Sequence, residues 1–324
     1  MVGCKPVTLD ETTINGSIDL AAIRTRIAAQ VVGRDRELDL VLAAVAAGRD
    51  LILEGPPGTS KSTLLRAITA EWGIPLVLVE GNADLTPSRL VGHHNPSRVL
   101  REDYSADNFV DGPLLEAMRV GGFLYVEEFN RAPEDTVDAL LTAMAERVIT
   151  VPRVGTVAAR PTFRVVASMN PYDNVGTTRL STSVHDRMCR LVVDYQDATA
   201  EREIVTRRAQ PTPPRIVADA VAVTRATRDR EDIRQGSSVR GAIDLALVVA
   251  QLCTMRGVTV PGGETVAPPR DLPTDYTTAF LDAMMVALSG RIHLDDTAFT
   301  TAEGILTEIW QDHFLLGPAA AEPG

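Results

Sequence analysis

Short apolar runs alternate with helical patterns over the first part of the chain. Four runs are LILE at 51, PLVLVE at 75, FLYVEE at 123 and FRVVASMN at 163, and RLVVDY at 190 is a fifth candidate. Because these runs are almost continuously apolar, they are typical of strands that are covered on both faces. Their alternation with helices predicts an α/β fold with a parallel sheet.

Beyond about residue 201 only helical spacing continues, which predicts a smaller all-α domain. The predicted organisation is an extension without a core of its own at 1–20, an α/β domain at 21–200 and a helical domain at 201–324. Two stretches interrupt the alternation in the α/β part. The stretch 84–113 is too polar for a core element, whereas 147–162 alternates apolar and polar residues across Gly155 and predicts a β-hairpin. The Pro- and Gly-containing stretch 257–273 is interpreted as a long loop.

The composition restricts the partners that the chain can have. Its 324 residues carry a net charge of -11, which argues against nucleic acid or an anionic membrane surface as the main partner. No apolar run approaches the roughly 20 residues that a membrane helix needs, so we expect no membrane insertion. The three cysteines are widely and irregularly spaced, which predicts neither a disulfide framework nor a metal site and fits a reducing cytoplasm.

A glycine- and proline-rich octamer, GPPGTSKS at 55–62, lies between the LILE run and the predicted helix STLLRAIT. This is the context of a phosphate-binding loop, in which backbone amides converge at a helix N-terminus. Lys61 would bring its charge to the β and γ oxygens of a nucleotide, and Ser62 would offer a hydroxyl to Mg²⁺. The candidate nucleotide-binding residues here are Gly55, Pro56, Pro57, Gly58, Thr59, Ser60, Lys61, Ser62 and Thr63. Ser60 replaces the second glycine of the strict motif, and the alternative interpretation is a turn that caps a helix and leaves Lys61 in solvent.

Paired carboxylates follow the FLYV run. Glu127 is in the position of a Mg²⁺ ligand that is usually aspartate, and Glu128 fits the base that polarises the attacking water. The alternative is a strand that runs into a solvated acidic helix start, which the helix dipole favours. Together with the upstream loop, at a separation that allows one intervening strand and helix, the pair predicts a nucleoside-triphosphatase site.

With these two elements and several further motifs, the sequence resembles the AAA+ ATPases, and among them the MoxR family of the helix-2-insert clade. The resemblance extends from VVGRDREL at 31 to SSVRGAIDL at 237. It rests on EEFNRAPEDTVDALLTAMAER, on DLTPSRLVG and on SMNPYDNVGTTRLSTSVHDRM. It implies an AAA+ αβα parallel-sheet nucleotide-binding domain followed by a smaller all-α lid domain, with ATP as substrate and Mg²⁺ as its metal.

The resemblance also implies roles within one subunit. Val32 and Gly33 would lie against the adenine, and Asn170 would be sensor 1, whose amide orients the attacking water. Arg240 would be sensor 2, which projects from a lid helix to the nucleotide. From the residues alone, the alternative for Asn170 is an Asn-Pro turn that follows a strand, and the alternative for Arg240 is an exposed arginine at a helix start.

A further implied role needs a neighbouring subunit. Arg187 would be the arginine finger that stabilises charge on the neighbour's γ-phosphate, with Arg179 and Arg190 as competing candidates. A finger that acts in trans implies a ring, most often a hexamer. Arg131 would face the subunit boundary, or it is a helix cap. The 84–113 stretch would contain the helix-2 insert, and the 147–162 hairpin would be the following segment that faces the pore.

The resemblance implies a remodelling chaperone with a protein client and a partner that contains a von Willebrand factor A domain. Related alternatives are gas-vesicle assembly, Rubisco activation and metal chelation, and more distant ones are a P-loop kinase or a DNA motor. The finger and sensor motifs argue against a kinase, and the acidic charge argues against a DNA motor. Because Ser60 and Glu127 depart from the usual motifs, we expect slow turnover, which steady-state phosphate release would measure.

Overall fold

The computed structural model describes residues 19–102, 104–171, 177, 180–263, 272–295 and 297–316. The helices are α1 (Leu20–Ala28), α2 (Asp35–Ala46), α3 (Lys61–Trp72), α4 (Pro87–Val91), α5 (Pro96–Glu102), α6 (Pro113–Val120), α7 (Glu134–Glu146), α8 (Thr182–Arg187), α9 (Ala198–Arg208), α10 (Pro214–Ala226), α11 (Val239–Arg256), α12 (Thr274–Leu288) and α13 (Ala302–Gln311). The strands are β1 (Leu51–Glu54), β2 (Leu76–Glu80), β3 (Gly92–His94), β4 (Phe109–Asp111), β5 (Phe123–Glu127), β6 (Val148–Val151), β7 (Gly155–Ala158), β8 (Arg164–Met169), β9 (Cys189–Val192), β10 (Ile233–Gln235) and β11 (His293–Leu294).

The main sheet has five strands in the order β2-β5-β8-β1-β9, and every neighbouring pair is parallel. All five predicted runs form these strands. Since parallel strands need crossover connections, helices cover both faces of the sheet. The predicted α/β fold with a parallel sheet is therefore confirmed.

Alternate residues of the central strands enter two different cores. On β5, Phe123 and Tyr125 pack with α1, α2 and α3, whereas Leu124 and Val126 pack with α6 and α7 on the other face. All four side chains are fully buried. Burial on both faces explains why the strand sequences are apolar throughout instead of alternating.

Helices α9 to α13 surround a third core, which runs from Val205 to Phe314 along the chain. The helical character predicted beyond residue 201 is present, but the prediction that strands stop there was wrong. β10 and β11 form an antiparallel pair next to the helices. The boundary that we place at residue 201 falls within α9, and the division into domains stays a proposal. Residues 1–18 of the predicted extension lie outside the described residues, as do residues 264–271 of the predicted 257–273 loop.

The stretch 84–113 is more ordered than its polarity predicts. It contains α4, α5 and the antiparallel pair β3 and β4, and Leu85 and Leu90 lie buried in the core with α6. The prediction that it holds no core element was therefore wrong, because two leucines separated by polar residues suffice to anchor a short helix. The predicted hairpin is present as the antiparallel strands β6 and β7. Within the ranges that the structure describes, no helix has both the length and the apolar character to cross a membrane.

Candidate functional site

The octamer at 55–62 connects the carboxyl end of β1 to the first residue of α3. Gly58 and Ser60 both have left-handed backbone angles, with φ of 77° and 67°. Glycine adopts this conformation without cost, whereas a serine does so against a steric penalty. The Ser60 hydroxyl accepts a hydrogen bond from Gln196 Nε2 at 3.2 Å, and among the described residues it caps no amide of α3. The first amides of α3 thus point toward the loop at the positive end of the helix dipole.

Lys61 folds back over this loop. Its ammonium donates to the carbonyl oxygens of Gly55 at 2.7 Å and Pro56 at 2.8 Å, and to Thr59 Oγ1 at 3.2 Å. Burial lowers the pKa of Lys61 to about 8, although Glu128 acts to raise it. The lysine is therefore a cation held next to the free helix end and electrostatically coupled to the paired carboxylates.

Ser62 and Glu127 are in direct contact across the site. The Ser62 hydroxyl donates to Glu127 Oε1 and lies 3.1 Å from the Tyr125 hydroxyl, which in turn donates to Ser168 Oγ at 2.9 Å. Burial raises the pKa of Tyr125, so its hydroxyl keeps its proton and remains a donor. The hydroxyl and the carboxylate predicted as metal ligands thus lie together, although they are 65 positions apart in sequence.

Glu128 directly follows the last residue of β5, and its backbone is also left-handed, with φ of 50°. Strained backbone of this kind in a residue other than glycine tends to occur at functional sites. Its Oε2 lies 3.5 Å from Arg131 Nε, which is too far for a hydrogen bond but is an ion pair. In the part of the chain that the structure describes, this buried Oε2 has no hydrogen-bond partner. Arg131 therefore contacts Glu128 within its own chain.

Asn170 directly follows β8, and it is only 9% exposed. Its carbonyl accepts from Asn130 Nδ2 at 3.3 Å, and the amide of Gly55 donates to the carbonyl of Met169 at 3.1 Å. Since β1, β5 and β8 are parallel neighbours, their carboxyl ends share one edge of the sheet. Asn170 is thereby brought to the same edge as the loop and the paired carboxylates.

Val32 and Gly33 lie in the turn between α1 and α2, and Val32 borders a cleft together with Ser60 and Thr63. This small cleft is lined by Val31, Val32, Ser60, Thr63, Ile204 and Arg207 among others. Gly33 has φ of 64°, and a Cβ built on it would lie 2.5 Å from the Cβ of Ala200. A larger residue would push α9 away from the turn, which makes this glycine a close contact between the two segments. The apolar side of the cleft suits a flat aromatic base next to the loop.

The first turn of α11 approaches the loop from the helical part of the chain. A Cβ built on Gly58 would lie 2.3 Å from Ser238 Oγ and 3.8 Å from Arg240 Cγ. Arg240 itself is exposed, and its charge acts to lower the pKa of Lys61. The predicted sensor 2 arginine thus lies beside the phosphate loop.

The candidate finger arginines differ in their contacts. Arg187 ends α8 and is exposed, with its guanidinium donating to the Ser183 carbonyl at 3.1 Å. Arg190 instead binds Glu54, with Nε 2.7 Å from Oε2, and this carboxylate is almost fully buried at the end of β1. Arg179 lies outside the described residues. Arg190 thus forms an ion pair within its own chain, whereas Arg187 is exposed at the surface.

Sequence reasoning missed several groups that shape the site. Arg34, which is 3% exposed, donates to the carbonyl oxygens of Thr59 at 3.0 Å and Asp194 at 2.5 Å. Burial lowers its pKa, although Glu37 opposes this effect. Arg34 directly follows Gly33 in the VVGRDREL motif. A charged residue next to that glycine was the sequence signal that could have identified it. Tyr125 and Gln196 gave no comparable signal, because an apolar strand and a loop have many such residues.

Comparisons with known proteins agree with this geometry. A family model described as AAA domain (dynein-related subfamily) matches residues 50–188. Gas vesicle ATPase GvpN1 of Halobacterium salinarum is 28% identical over 233 residues, or 64% of this chain and 67% of that protein. Gas vesicle ATPase GvpN of Haloferax mediterranei is 29% identical over 206 residues, or 59% of this chain and 59% of that protein. The chain thus spans less than two thirds of the length of the second of these relatives.

A solved structure supports the fold. A mutant of RuvB from Thermotoga maritima superposes with a TM-score of 0.52 at 17% identity, over 81% of this chain and 72% of that one. At this identity the likeness concerns the fold alone. The matched AAA domain contains both the loop and the paired carboxylates, and the named relatives are ATPases. The family model and the named relatives therefore support a likeness to AAA+ ATPases of the MoxR type.

Proposed function

We propose that this chain binds ATP with Mg²⁺ at the loop of residues 55–62 and hydrolyses it with Glu128 as the base. One observation carries the proposal. A free helix end, a lysine, a hydroxyl in contact with a carboxylate, and a second carboxylate in a strained backbone all converge at one edge of the sheet. This combination matches the needs of phosphoryl transfer to water, which are charge stabilisation and orientation of the attacking oxygen.

The residues present fit a nucleotide and its metal. The first amides of α3 and the ammonium of Lys61 provide the donors that β and γ phosphates require. Ser62 and Glu127 provide two oxygen ligands, and Mg²⁺ in nucleotide sites is held by one or two such protein ligands together with phosphate oxygens. Among the described residues, no cluster of three or more His, Cys, Asp and Glu side chains could hold a metal without a nucleotide. The bound Mg²⁺ would neutralise charge that develops on the phosphates.

The side chains divide the remaining work. Glu128 would accept the proton of the attacking water, and its Oε2 lies 3.5 Å from Arg131 Nε. Asn170 would hold that water through its amide, and Arg240 would contact the phosphates from α11. Val32 and Gly33 would border the adenine in the cleft next to Ser60 and Thr63.

The base is tested with Glu128→Gln, which keeps the shape of the side chain and removes its basicity. We expect ATP affinity to change by less than about threefold while turnover falls at least about a hundredfold, within the range for loss of a general base. Fluorescent-nucleotide titration and phosphate release measure the two quantities. Glu134→Gln, an exposed glutamate at the start of α7, is the matched control and should turn over normally. Normal turnover of Glu128→Gln would remove this residue from the role of base.

We propose further that the subunits assemble into a ring, most often a hexamer in this type of protein, in which Arg187 reaches the γ-phosphate of a neighbour. Its exposure at the end of α8 supports this role, and the pairing of Arg190 with Glu54 argues against the alternative. Mixing Arg187→Ala subunits with Lys61→Ala subunits tests it. We expect each variant alone to be inactive and mixtures to recover part of the phosphate release. No recovery at any ratio in intact rings would contradict a finger in trans.

For the client, we propose remodelling of a protein together with a partner that contains a von Willebrand factor A domain, in the cytoplasm. The alternative, an ATPase for gas-vesicle assembly, is supported by the printed names of several relatives. The Glu128→Gln variant, locked with ATP, serves as a trap. Mass spectrometry of the retained proteins would distinguish a partner with such a domain from gas-vesicle proteins.

A further inference from the structure

A buried carboxylate in α9 holds two arginines from the segment that begins with α10. Glu201 is only 1% exposed, and its two oxygens accept from Arg228 Nη1 at 2.7 Å and from Arg225 Nη1 at 3.2 Å. A buried charge without partners is strongly unfavourable, so these contacts hold the two segments together. Glu201 is in neither the loop nor the paired carboxylates, and the roles assigned above do not use it.

Arg228 connects Glu201 to the residues that precede α11. Its Nε donates to the carbonyl of Ser237 at 2.7 Å, and its guanidinium stacks over the Tyr195 ring at 3.9 Å from the ring centre. Ser237 directly precedes Ser238, whose hydroxyl accepts from the amide of Arg240 at 3.3 Å. Arg228 thus fixes the chain three residues before Arg240, the arginine that lies beside the loop.

Arg225 continues from Glu201 to the phosphate loop itself. Its Nη1 also donates to the carbonyl of Gln196 at 2.9 Å, and Gln196 Nε2 donates to Ser60 Oγ at 3.2 Å. Gln196 is 4% exposed, so water does not compete with this bond. Ser60, which departs from the strict loop motif, contributes a hydroxyl that a glycine would lack.

These hydrogen bonds and ion pairs form one continuous chain of contacts. It leads from Ser60 through Gln196 and Arg225 to Glu201, and from there through Arg228 to the first turn of α11, which touches Gly58. We propose that Glu201 is a positioning residue that holds Arg240 at the phosphate loop, and that the bond from Gln196 to Ser60 couples this position to the conformation of the loop. The inference rests on the proposed function, because it gives that site a link between the bound nucleotide and the helical part of the chain.

The first test uses the full chain without nucleotide. Glu201→Gln keeps the size of the side chain but removes the charge that holds two arginines. We expect hydrogen exchange of the amides at 236–241, followed by mass spectrometry, to become at least about tenfold faster, since local opening controls exchange. The matched control is Glu203→Gln on the same helix, where the exposed carboxylate pairs with Arg207 one turn away, and exchange should not change. Unchanged exchange in Glu201→Gln would overturn the inference.

The second test asks whether Glu201 acts through Arg240. In the wild-type chain we expect Arg240→Ala to lower kcat about tenfold, and Glu201→Gln to lower it by a similar factor. In the Glu201→Gln background, Arg240→Ala should cost less than about twofold more, because coupled residues are not additive. Equal factors in both backgrounds would show that Glu201 acts independently of Arg240. A wild-type chain that neither binds nor hydrolyses ATP would contradict the proposed function, and the exchange measurement would still decide the link.

A third variant covers the case in which Glu201→Gln fails to fold. Ser60→Gly removes the hydroxyl at a position where glycine adopts the required φ without cost. We expect exchange at 236–241 to become about threefold faster without nucleotide, and the extra protection that ATP confers there to be lost. Exchange identical to that of the wild type in both states would overturn the coupling through Ser60.

Discussion

The amino ends of the parallel strands form one edge of the sheet (the amino edge), and their carboxyl ends form the other (the carboxyl edge). Both edges carry buried or half-buried charges, but the charges are arranged differently. At the amino edge, Asp50 is 6% exposed, and its carboxylate accepts from the amide of Val165 at 2.7 Å and from Arg147 Nη2 at 3.4 Å. At the carboxyl edge, Glu127, Glu128 and Lys61 surround a helix end that keeps its amides available. The first arrangement bonds a buried carboxylate to the backbone and to an arginine, whereas the second leaves the first amides of α3 without a capping side chain among the described residues.

The difference separates stability from binding. Burial raises the pKa of Asp50, and the charges of Arg147 and Arg164 offset part of that effect. The carboxylate therefore joins the ends of β1 and β8 to the end of α7, as a structural group does. At the carboxyl edge, the amides of α3 have no capping side chain among the described residues, and Lys61 and Glu128 lie next to them. We therefore expect substitutions at one edge to change unfolding and substitutions at the other to change nucleotide binding.

The largest effect on binding should come from Lys61→Ala. Without the ammonium, the terminal phosphates of ATP lose their closest positive side chain, and we expect affinity to fall about a hundredfold, roughly 2.7 kcal/mol. The thermal midpoint without nucleotide should change little, because the bonds that Lys61 makes to described residues go to loop carbonyls and Thr59. Calorimetric titration with Mg·ATP measures the affinity. Arg66→Ala, at an exposed position on the same helix, is the control and should bind normally.

If ATP affinity falls less than threefold in Lys61→Ala, the proposed difference between the two edges is contradicted. The carboxyl edge would then bind ATP without the ammonium of Lys61. A large fall in the thermal midpoint would contradict it in another way. Lys61 would then be a structural group like Asp50.

The opposite result is expected for Asp50→Ala. This change leaves the buried amide of Val165 without its acceptor, so we expect the free energy of unfolding to fall by about 2 kcal/mol. ATP affinity of the folded variant should stay within twofold of the wild type. Urea unfolding and calorimetry measure the two quantities. As a control, Asp244→Ala removes an exposed partner of Arg291 and should cost less than about 1 kcal/mol. Weakened ATP binding with normal stability in Asp50→Ala would reverse the comparison.

The sequence predicts the parts of the molecule that local patterns determine. The five sheet strands and the β6–β7 hairpin follow from runs and alternation of apolar residues, and the loop and acid pair follow from fixed spacing. β10 and β11 have only three and two residues, which is too short for alternation to be visible. Tyr125 and Gln196 were missed for another reason. Their partners Ser62 and Ser60 lie 63 and 136 positions away, so only the folded chain brings them together.

Ser60 shows how one residue can be interpreted differently once its neighbours are known. In the sequence it is a departure from a glycine motif that predicts slow turnover. In the structure it has the left-handed φ that glycine would have, and its hydroxyl is also bonded to a buried glutamine. The effect of the substitution on the loop therefore depends on Gln196, which no local pattern reveals.

The smallest expected effect is the pH dependence of ATP affinity, which we attribute to the titration of Lys61 at the carboxyl edge. Burial lowers the pKa of Lys61 from 10.5 to about 8, so the side chain is mostly charged at pH 7 and mostly neutral at pH 9. Phosphates favour the charged form, and we expect ATP affinity to fall about threefold to tenfold over that range. Without ATP the sign is opposite. Between about pH 8 and 10.5 the unfolded chain binds the lysine proton more often than the folded chain, so this group makes stability rise with pH.

The same shift predicts that ATP binding at pH 8 takes up a fraction of a proton. Calorimetry in buffers with different ionisation enthalpies measures this uptake directly. In Lys61→Arg the guanidinium stays charged throughout the range, so both the uptake and the fall in affinity should disappear. Equal proton uptake in the wild type and in Lys61→Arg would assign the titration to another group. The lysine would then be an ordinary surface cation and not the buried partner of the phosphates.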